Sequence, residues 1–405
     1  MQTKLLEEKT EDVAVRKKII IVNNNMKIGG IQKALLNLLH EISSEYDVTL
    51  FVLNNVGECL EKVPKNVTVV GCDSLYKYFG MSQAESKRSL HDYILRSLLA
   101  FTMRLGGRKF TTRIISAFSK KLKTEYDCAI SYMHDGSNRL LYGGCNDFVL
   151  SKINAKKKIT FLHCDYENFG GNYKSNNAVF EKFDVIAACS EGCRNAFLRV
   201  IPHLESKTKT VINCHNFAEI TALSQENTVV YDNGYINAII VARLNSEKGV
   251  ERAIYALKHV LDKNLKVKLH IVGGGVLMNP LKELCKELCV EDSVVFYGEQ
   301  TNPYRYIKNA DFLFIPSFHE AAPLVIDEAL CLGVPVMSTL TTSSEDMILK
   351  RNCGWVCENS QEAINRTLYE ITADLNEIPR LKEKLSAREG ANNRLALSMF
   401  EGIVE

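Results

Sequence analysis

Residues 312–338, FLFIPSFHEAAPLVIDEALCLGVPVMS, read as strand, loop, helix and strand in immediate succession. The first six residues are an apolar run of the kind that parallel sheets bury on both faces. A loop follows over Ser317–Glu320, and a helix begins near Pro323, a residue suited to the first helical turn because no N–H is needed there. The strand VPVMSTL closes the unit. Upstream, the same rhythm runs through INAIIVARL (strand), VERAIYALKHVLDK (helix), KVKLHIVGGG (strand ending in glycines), LKELCKELC (helix), SVVFYGE (strand) and YRYIKNA (short helix). Strands alternating with helices predict a parallel sheet covered by helices on both faces.

The N-terminal half repeats the pattern. KIIIVN (18–23) is a strand and NNNMKIGG a glycine-containing turn. Ala34, Leu35, Leu38 and Leu39 then follow a helical spacing, and YDVTLFVLN is the next strand. YDCAISYM (126–133), KKITFLHC (157–164) and DVIAACS (184–190) are further core strands. At 405 residues the chain is long for one core and comfortable for two. The expected division is an N-terminal tail (1–17), a Rossmann-like domain (18–220), a polar linker (221–235) and a second Rossmann-like domain (236–385). A last helix (386–405) would return to the first domain. The fold class is therefore α/β, with two doubly wound parallel-sheet domains facing a cleft.

Composition narrows the function classes. A net charge of +2 argues against nucleic acid as a partner. Thirteen cysteines, with no CxxC, suit buried free thiols in a reducing compartment better than disulfides or zinc. The N-terminal stretch carries four acidic residues within its first eighteen and no apolar h-region, and no apolar run reaches the length of a membrane span. The expected location is cytoplasmic, with peripheral attachment to the inner face of the plasma membrane left open. That opening comes from 96–123, which holds eight Lys or Arg and no Asp or Glu among Leu98, Leu99, Phe101, Met103, Leu105, Phe110, Ile114, Ile115 and Phe118. It reads either as a basic helical face or as a surface for anionic lipid.

Chemistry gathers where strands end. Glu320 lies at the carboxyl end of a strand, where open α/β sheets bind ligands, and Glu328 falls about two turns later. The first-turn amides of that helix, around Leu324, favour a phosphate. Arg243 and Lys248, in VARLNSEKGV, follow another strand and suit a diphosphate, Arg by bidentate contact and Lys as a point charge. No DxD metal clamp is present, so no metal and no cofactor are expected. A bare E-x7-E spacing is common on solvated helix faces; its force comes from the strand before it and the cations opposite.

HEAAPLVIDEALCLGVPV, preceded by VARLNSEKG and IVGGG, resembles glycosyltransferase family 4, the retaining glycosyl transferases group 1 with the GT-B fold. The resemblance extends to Gly29–Gly30 and to FLHCDY around His163. It implies that Glu320 holds the donor sugar, Glu328 the ribose, Arg243 and Lys248 the diphosphate, and that His163 contacts the sugar near its reacting carbon. Gly29 and Gly30 would admit donor and acceptor. It also implies a nucleotide-sugar donor, a glycan or lipid-linked glycan acceptor, and a place in surface polysaccharide assembly. The chain departs from the family at Ala321–Pro323, where relatives carry glycines, and at Thr341–Ser344.

Other readings stay open at this level. Gly273 and Gly274 fit a tight turn as well as a ligand loop. His163 fits a satisfied core histidine. His134 and Asp135 end a strand on the acceptor side. Contacts to the base would come from Gly298–Asn302 and the 273–275 turn. Two alternatives to a transferase remain: a GT-B-like epimerase or phosphorylase, and a non-catalytic sugar-nucleotide-binding scaffold.

Overall fold

The computed structural model describes residues 16–136, 139–386 and 390–405; most of the expected N-terminal tail, 1–15, lies outside them. The N-terminal sheet has seven strands: β1 (Lys18–Asn23), β2 (Asp47–Val52), β3 (Thr68–Gly71), β4 (Glu125–Ser131), β5 (Asn154–Leu162), β6 (Val185–Ala188) and β7 (Thr208–Thr210). They stand in the order β3-β2-β1-β4-β5-β6-β7, every pair parallel. The C-terminal sheet holds β8 (Ile236–Val241), β9 (Val267–Val272), β10 (Val294–Gly298), β11 (Phe312–Ile315), β12 (Val336–Thr339) and β13 (Gly354–Cys357). Their order is β10-β9-β8-β11-β12-β13, again all parallel.

Both sheets reverse their winding direction once. In the first, the chain moves outward from β1 through β2 to β3, then returns to place β4 on the other side of β1; β8 and β11 flank the same reversal in the second. Crevices open at the carboxyl ends of strands at such points, because neighbouring connections leave toward opposite faces.

The helices that matter below are α1 (Gly30–Ile42), α2 (Leu90–Ala117), α3 (Glu191–Val200), α4 (Phe217–Gln225), α5 (Val250–Leu261), α6 (Leu324–Cys331), α7 (Gln361–Ala373) and α8 (Arg394–Val404). α1 buries Leu35, Leu38, Leu39 and Ile42 against β1 and β2. α5 does the same with Val250, Ala253, Ile254 and Leu257 in the second domain, beside α7.

Two differences from the sequence reading have simple causes. The first residues of the expected linker (221–235) belong to α4: Ile220 and Leu223, three residues apart, turn one face into the second core. The chain therefore changes domain earlier, between Cys214, still in the first core, and Phe217, the start of α4. α7 stays on the second domain, while α8 alone crosses back, burying Ala396, Phe400, Ile403 and Val404 in the first core. The two crossings touch: His215 N donates to Asn393 Oδ1 (3.0 Å) and Asn393 Nδ2 donates to His215 O (2.8 Å). Finally, 96–123 is not one uniform face. α2 bends at Gly107 (φ 70°, ψ −178°); Leu99, Met103 and Ile115 are core, and Arg108 is buried with Asp135 and Asp147.

None of the thirteen cysteines forms a disulfide, and most are buried. Among the described residues, no helix is long and apolar enough to cross a membrane.

Candidate functional site

A cavity of about 790 Å³ lies between the domains, walled by the carboxyl ends of the strands at both reversals. From the first domain come Gly30 and Lys33 after β1, His134 and Tyr142 after β4, and His163 and Asp165 after β5. The second domain contributes Arg243 and Lys248 after β8, and the run from Ser317 to Val325 with Glu328 after β11. Residues up to about 300 apart in sequence meet here because each follows a strand end at one of the two crevices.

Glu320 sits in the loop between β11 and α6. Its Oε1 accepts from Lys248 Nζ at 2.7 Å and from Ser317 Oγ at 2.8 Å. Helical geometry does not extend back to it, so Glu320 and Glu328 are not two turns of one helix. Several contacts fix the loop. The Arg252 guanidinium stacks 4.4 Å from the Phe318 ring centre and donates to Pro316 O (3.3 Å) and Asn359 Oδ1 (2.6 Å); Asn359 Nδ2 donates to Phe318 O (3.0 Å). Gly249 adopts φ 57°, ψ 30°, and a Cβ there would stand 2.4 Å from Pro316 O. The glycine of NSEKG is thus required both by its left-handed backbone and by the approach of the Glu320 loop.

α6 begins at Leu324 without a side-chain cap; Ile326 N turns back to Pro323 O (3.2 Å), and Ala322 to Val325, which include the first two residues of the helix, form cavity wall. Arg243 is exposed on the rim, and Lys248, on the same loop after β8, reaches the Glu320 carboxylate. Glu328 is almost sealed, with 4 % of its side chain exposed, and meets a residue that the motifs do not contain. Lys33 Nζ, from α1, lies 2.5 Å from Glu328 Oε1 and 2.7 Å from the Tyr304 hydroxyl.

His163 lines the cavity between the Tyr132 and Phe161 rings, at 4.7 and 5.7 Å, and its buried Nε2 has no hydrogen-bond partner. Burial, with a smaller push from His134, lowers its pKa to about 3. His134 lies edge-on to Phe169 at 5.2 Å, its buried Nδ1 also unpartnered, and burial lowers its pKa to about 4. Both imidazoles are neutral near pH 7 and can exchange hydrogen bonds with sugar hydroxyls without carrying charge. Asp135 has a different fate: 1 % exposed, it is taken up by Arg108 and the Gly144 amide, a structural pairing rather than a face of the cavity.

The glycines separate as well. At Gly30 an added Cβ meets open space, so this residue leaves room on the cavity side. Gly29 ends the turn in extended backbone (φ −178°) as the N-cap of α1. Gly273 and Gly274 are not among the residues walling the cavity; Gly273, at φ 146°, would drive a Cβ to 1.8 Å from Ala242 O, so local backbone packing accounts for it. Of the stretch considered for the base, Asn302 spends its amide on Leu223 O (2.8 Å), and the neighbouring Pro303 forms cavity wall.

The two departures from the family pattern both touch the opposite domain. Ser190 Oγ and Cys193 Sγ, at the start of α3, donate to Ala321 O at 2.9 and 3.2 Å, and Thr342 Oγ1 donates to Asp165 Oδ2 at 2.7 Å. Nothing in the sequence pairs these residues; only the facing of the two sheets does.

Residues 226–388 match the family Glycosyl transferases group 1. Among curated proteins the chain is similar to an uncharacterized glycosyltransferase of Methanocaldococcus jannaschii (34 % identical, covering 34 % of each chain). It is also similar to the alpha-monoglucosyldiacylglycerol synthase of Streptococcus pneumoniae (31 % identical, covering 36 % of this chain and 34 % of that one). The chain spans about a third of the length of these relatives. Among solved structures it is similar to Anabaena HepE in complex with UDP and glucose, with TM-score 0.62 and 16 % identity over 96 % of this chain and 98 % of that one. The fold is GT-B.

Proposed function

With residues 226–388 a glycosyl transferases group 1 domain, we propose that this protein is a glycosyltransferase that moves a sugar from a UDP- or GDP-sugar to a glycan acceptor, with retention of configuration and without a metal. The observation that carries the reading is the convergence of Arg243, Lys248 and the uncapped start of α6 on one wall of a cavity whose other wall holds His163. Three sources of positive potential along one wall suit a diphosphate, with Lys248 turning to it from Glu320. They would stabilise the charge that builds on it as the sugar–phosphate bond breaks. Glu320, held by Ser317 and Lys248, would accept from donor-sugar hydroxyls and fix the ring against the first domain. Glu328 would take the ribose. Neutral His163 would hydrogen-bond the sugar near its reacting carbon.

The acceptor is proposed to be lipid-linked, on the strength of α2. Leu90, Ile94, Leu98, Phe101 and Leu105 are all exposed and recur at three- and four-residue steps, forming one stripe along the helix. Past the bend Phe110 and Phe118 are exposed too, and Arg104, Lys109, Arg113, Lys120, Lys121 and Lys123 are exposed in the same stretch. An apolar stripe with cations in the same stretch fits an anionic bilayer surface.

A thermal-shift series with UDP- and GDP-sugars tests the core of the proposal. Stabilisation by one donor class, unchanged by EDTA, is expected, followed by transfer to a glycan acceptor; no response to any nucleotide would refute the donor site. Turnover of the donor with no acceptor requirement would instead indicate an epimerase.

A further inference from the structure

Lys33 stands outside the charged residues assigned to the donor, yet it makes the shortest ionic contact on the cavity wall. It lies three residues past Gly30 on α1 and reaches across to the second domain, its ammonium 2.5 Å from Glu328 Oε1, 2.7 Å from the Tyr304 hydroxyl and 5.0 Å from that ring's centre. Burial disfavours its charge, but Glu328 and Tyr304 more than offset this, and its pKa is raised. The carboxylate proposed for the ribose is therefore already occupied by a full cation.

A neutral hydroxyl is a weaker partner for a carboxylate than an ammonium is. Ribose alone would not displace Lys33. A ligand offering the ammonium a second, stronger anion would. Leu324, whose amide starts the phosphate-favouring end of α6, is one helical turn before Glu328, about 5–6 Å along the axis. A lysine side chain pivoting on its four-carbon stem covers such a gap. With 38 % of its side chain exposed, Lys33 is free enough to turn, whereas Glu328 at 4 % is not.

We propose that Lys33 is a further donor-binding residue, held on Glu328 while the cavity is empty and transferred to the diphosphate when a nucleoside diphosphate enters, which releases Glu328 to the ribose. The inference rests on the donor reading above. It makes the two halves of the nucleotide interdependent: the diphosphate draws off the cation that blocks the ribose site.

Calorimetric titration of the full chain with UDP and GDP, and separately with uridine and guanosine, tests it on wild type, Lys33→Met and Lys33→Arg. Lys33→Met should weaken the diphosphate about tenfold, the scale of one charge-assisted hydrogen bond. Nucleoside binding should be unchanged or tighter, and Lys33→Arg should recover most of the diphosphate affinity. Equal weakening of nucleoside and diphosphate would reduce Lys33 to a structural clamp and overturn the proposal, as would unchanged diphosphate affinity in Lys33→Met. Wild type that binds neither UDP nor GDP would remove the donor reading, and this inference with it. Should Lys33→Met fail to fold, Lys33→Gln carries the same comparison.

Discussion

Lys248 and Glu320 face each other across the mouth of a strand, Nζ to Oε1 at 2.7 Å, on loops that follow different strands of one sheet. Each holds the other in place, and the Ser317 hydroxyl holds the carboxylate from a third side.

Glu320→Gln should therefore separate binding from turnover. The amide keeps the shape but loses the charge that grips the ammonium and strengthens the bonds to sugar hydroxyls, and misplacing a reacting group by an ångström costs roughly 100-fold in rate. Transfer should fall by about that factor, with UDP or GDP affinity unchanged or higher because Lys248 is freed for the diphosphate. Transfer within twofold of wild type would refute the assignment.

Gly249→Ala tests the support beneath that loop. Alanine at φ 57° is strained, and its Cβ would press on the Pro316 carbonyl, four residues before Glu320. A loss of about 1–3 kcal/mol in denaturant unfolding is expected, together with reduced kcat. An unchanged midpoint would mean that the close approach is not made in solution.

The two neutral histidines make stability depend on pH. His163 and His134 have folded pKa values of about 3 and about 4, against an ordinary 6.5, with burial the main cause of each. Between those values and 6.5 the unfolded chain binds more protons than the folded one, so folding stability is lost as pH falls through this window. His270, also lowered to about 4 by burial, adds to the slope from the second domain. Melting temperatures recorded from pH 7 to pH 4 should decline, and His134→Asn with His163→Asn should flatten the decline. A slope indifferent to the double variant would show that both imidazoles are solvated.

How much of this was legible beforehand follows burial. β1 and β8 are continuous apolar runs buried on both faces, and their glycine-bearing turns set the sheet architecture from sequence alone. β3, β7 and β13 were not legible. Thr68–Gly71 is exposed along its length, β7 has three residues, and an edge strand needs no apolar run to pair. Glu320, Lys248 and Arg243 could be placed at the cavity because they follow strand ends, and Glu328 because it lies in the helix that comes next. Lys33 could not, since its partner is 295 residues away. The asparagine that braces the Glu320 loop, Asn359, was hidden in the same way. Along α2, periodicity could not say which of two interleaved apolar rows is core: Leu99 and Met103 turned inward, Leu98 and Phe101 outward.

That outward row yields a prediction about surfaces. Flotation with vesicles rich in anionic lipid should carry the protein upward, neutral vesicles much less so, and added salt should release it. Replacing Leu98, Phe101 and Leu105 by serine should abolish flotation while leaving the melting temperature nearly unchanged, because all three are exposed. Retained flotation would refute a lipid-docking role for α2.

The paired crossings at His215 and Asn393 carry a mechanical consequence. Two independent tethers would let the domains slide, twist and separate. Two tethers bonded to each other through both the amide and the carbonyl of one residue act as pins on a single axle. Any opening of the cavity would then be a swing about that line, with the far rim travelling farthest. Asn393→Ala would leave both tethers in the chain but uncouple them, turning a door into a loose joint.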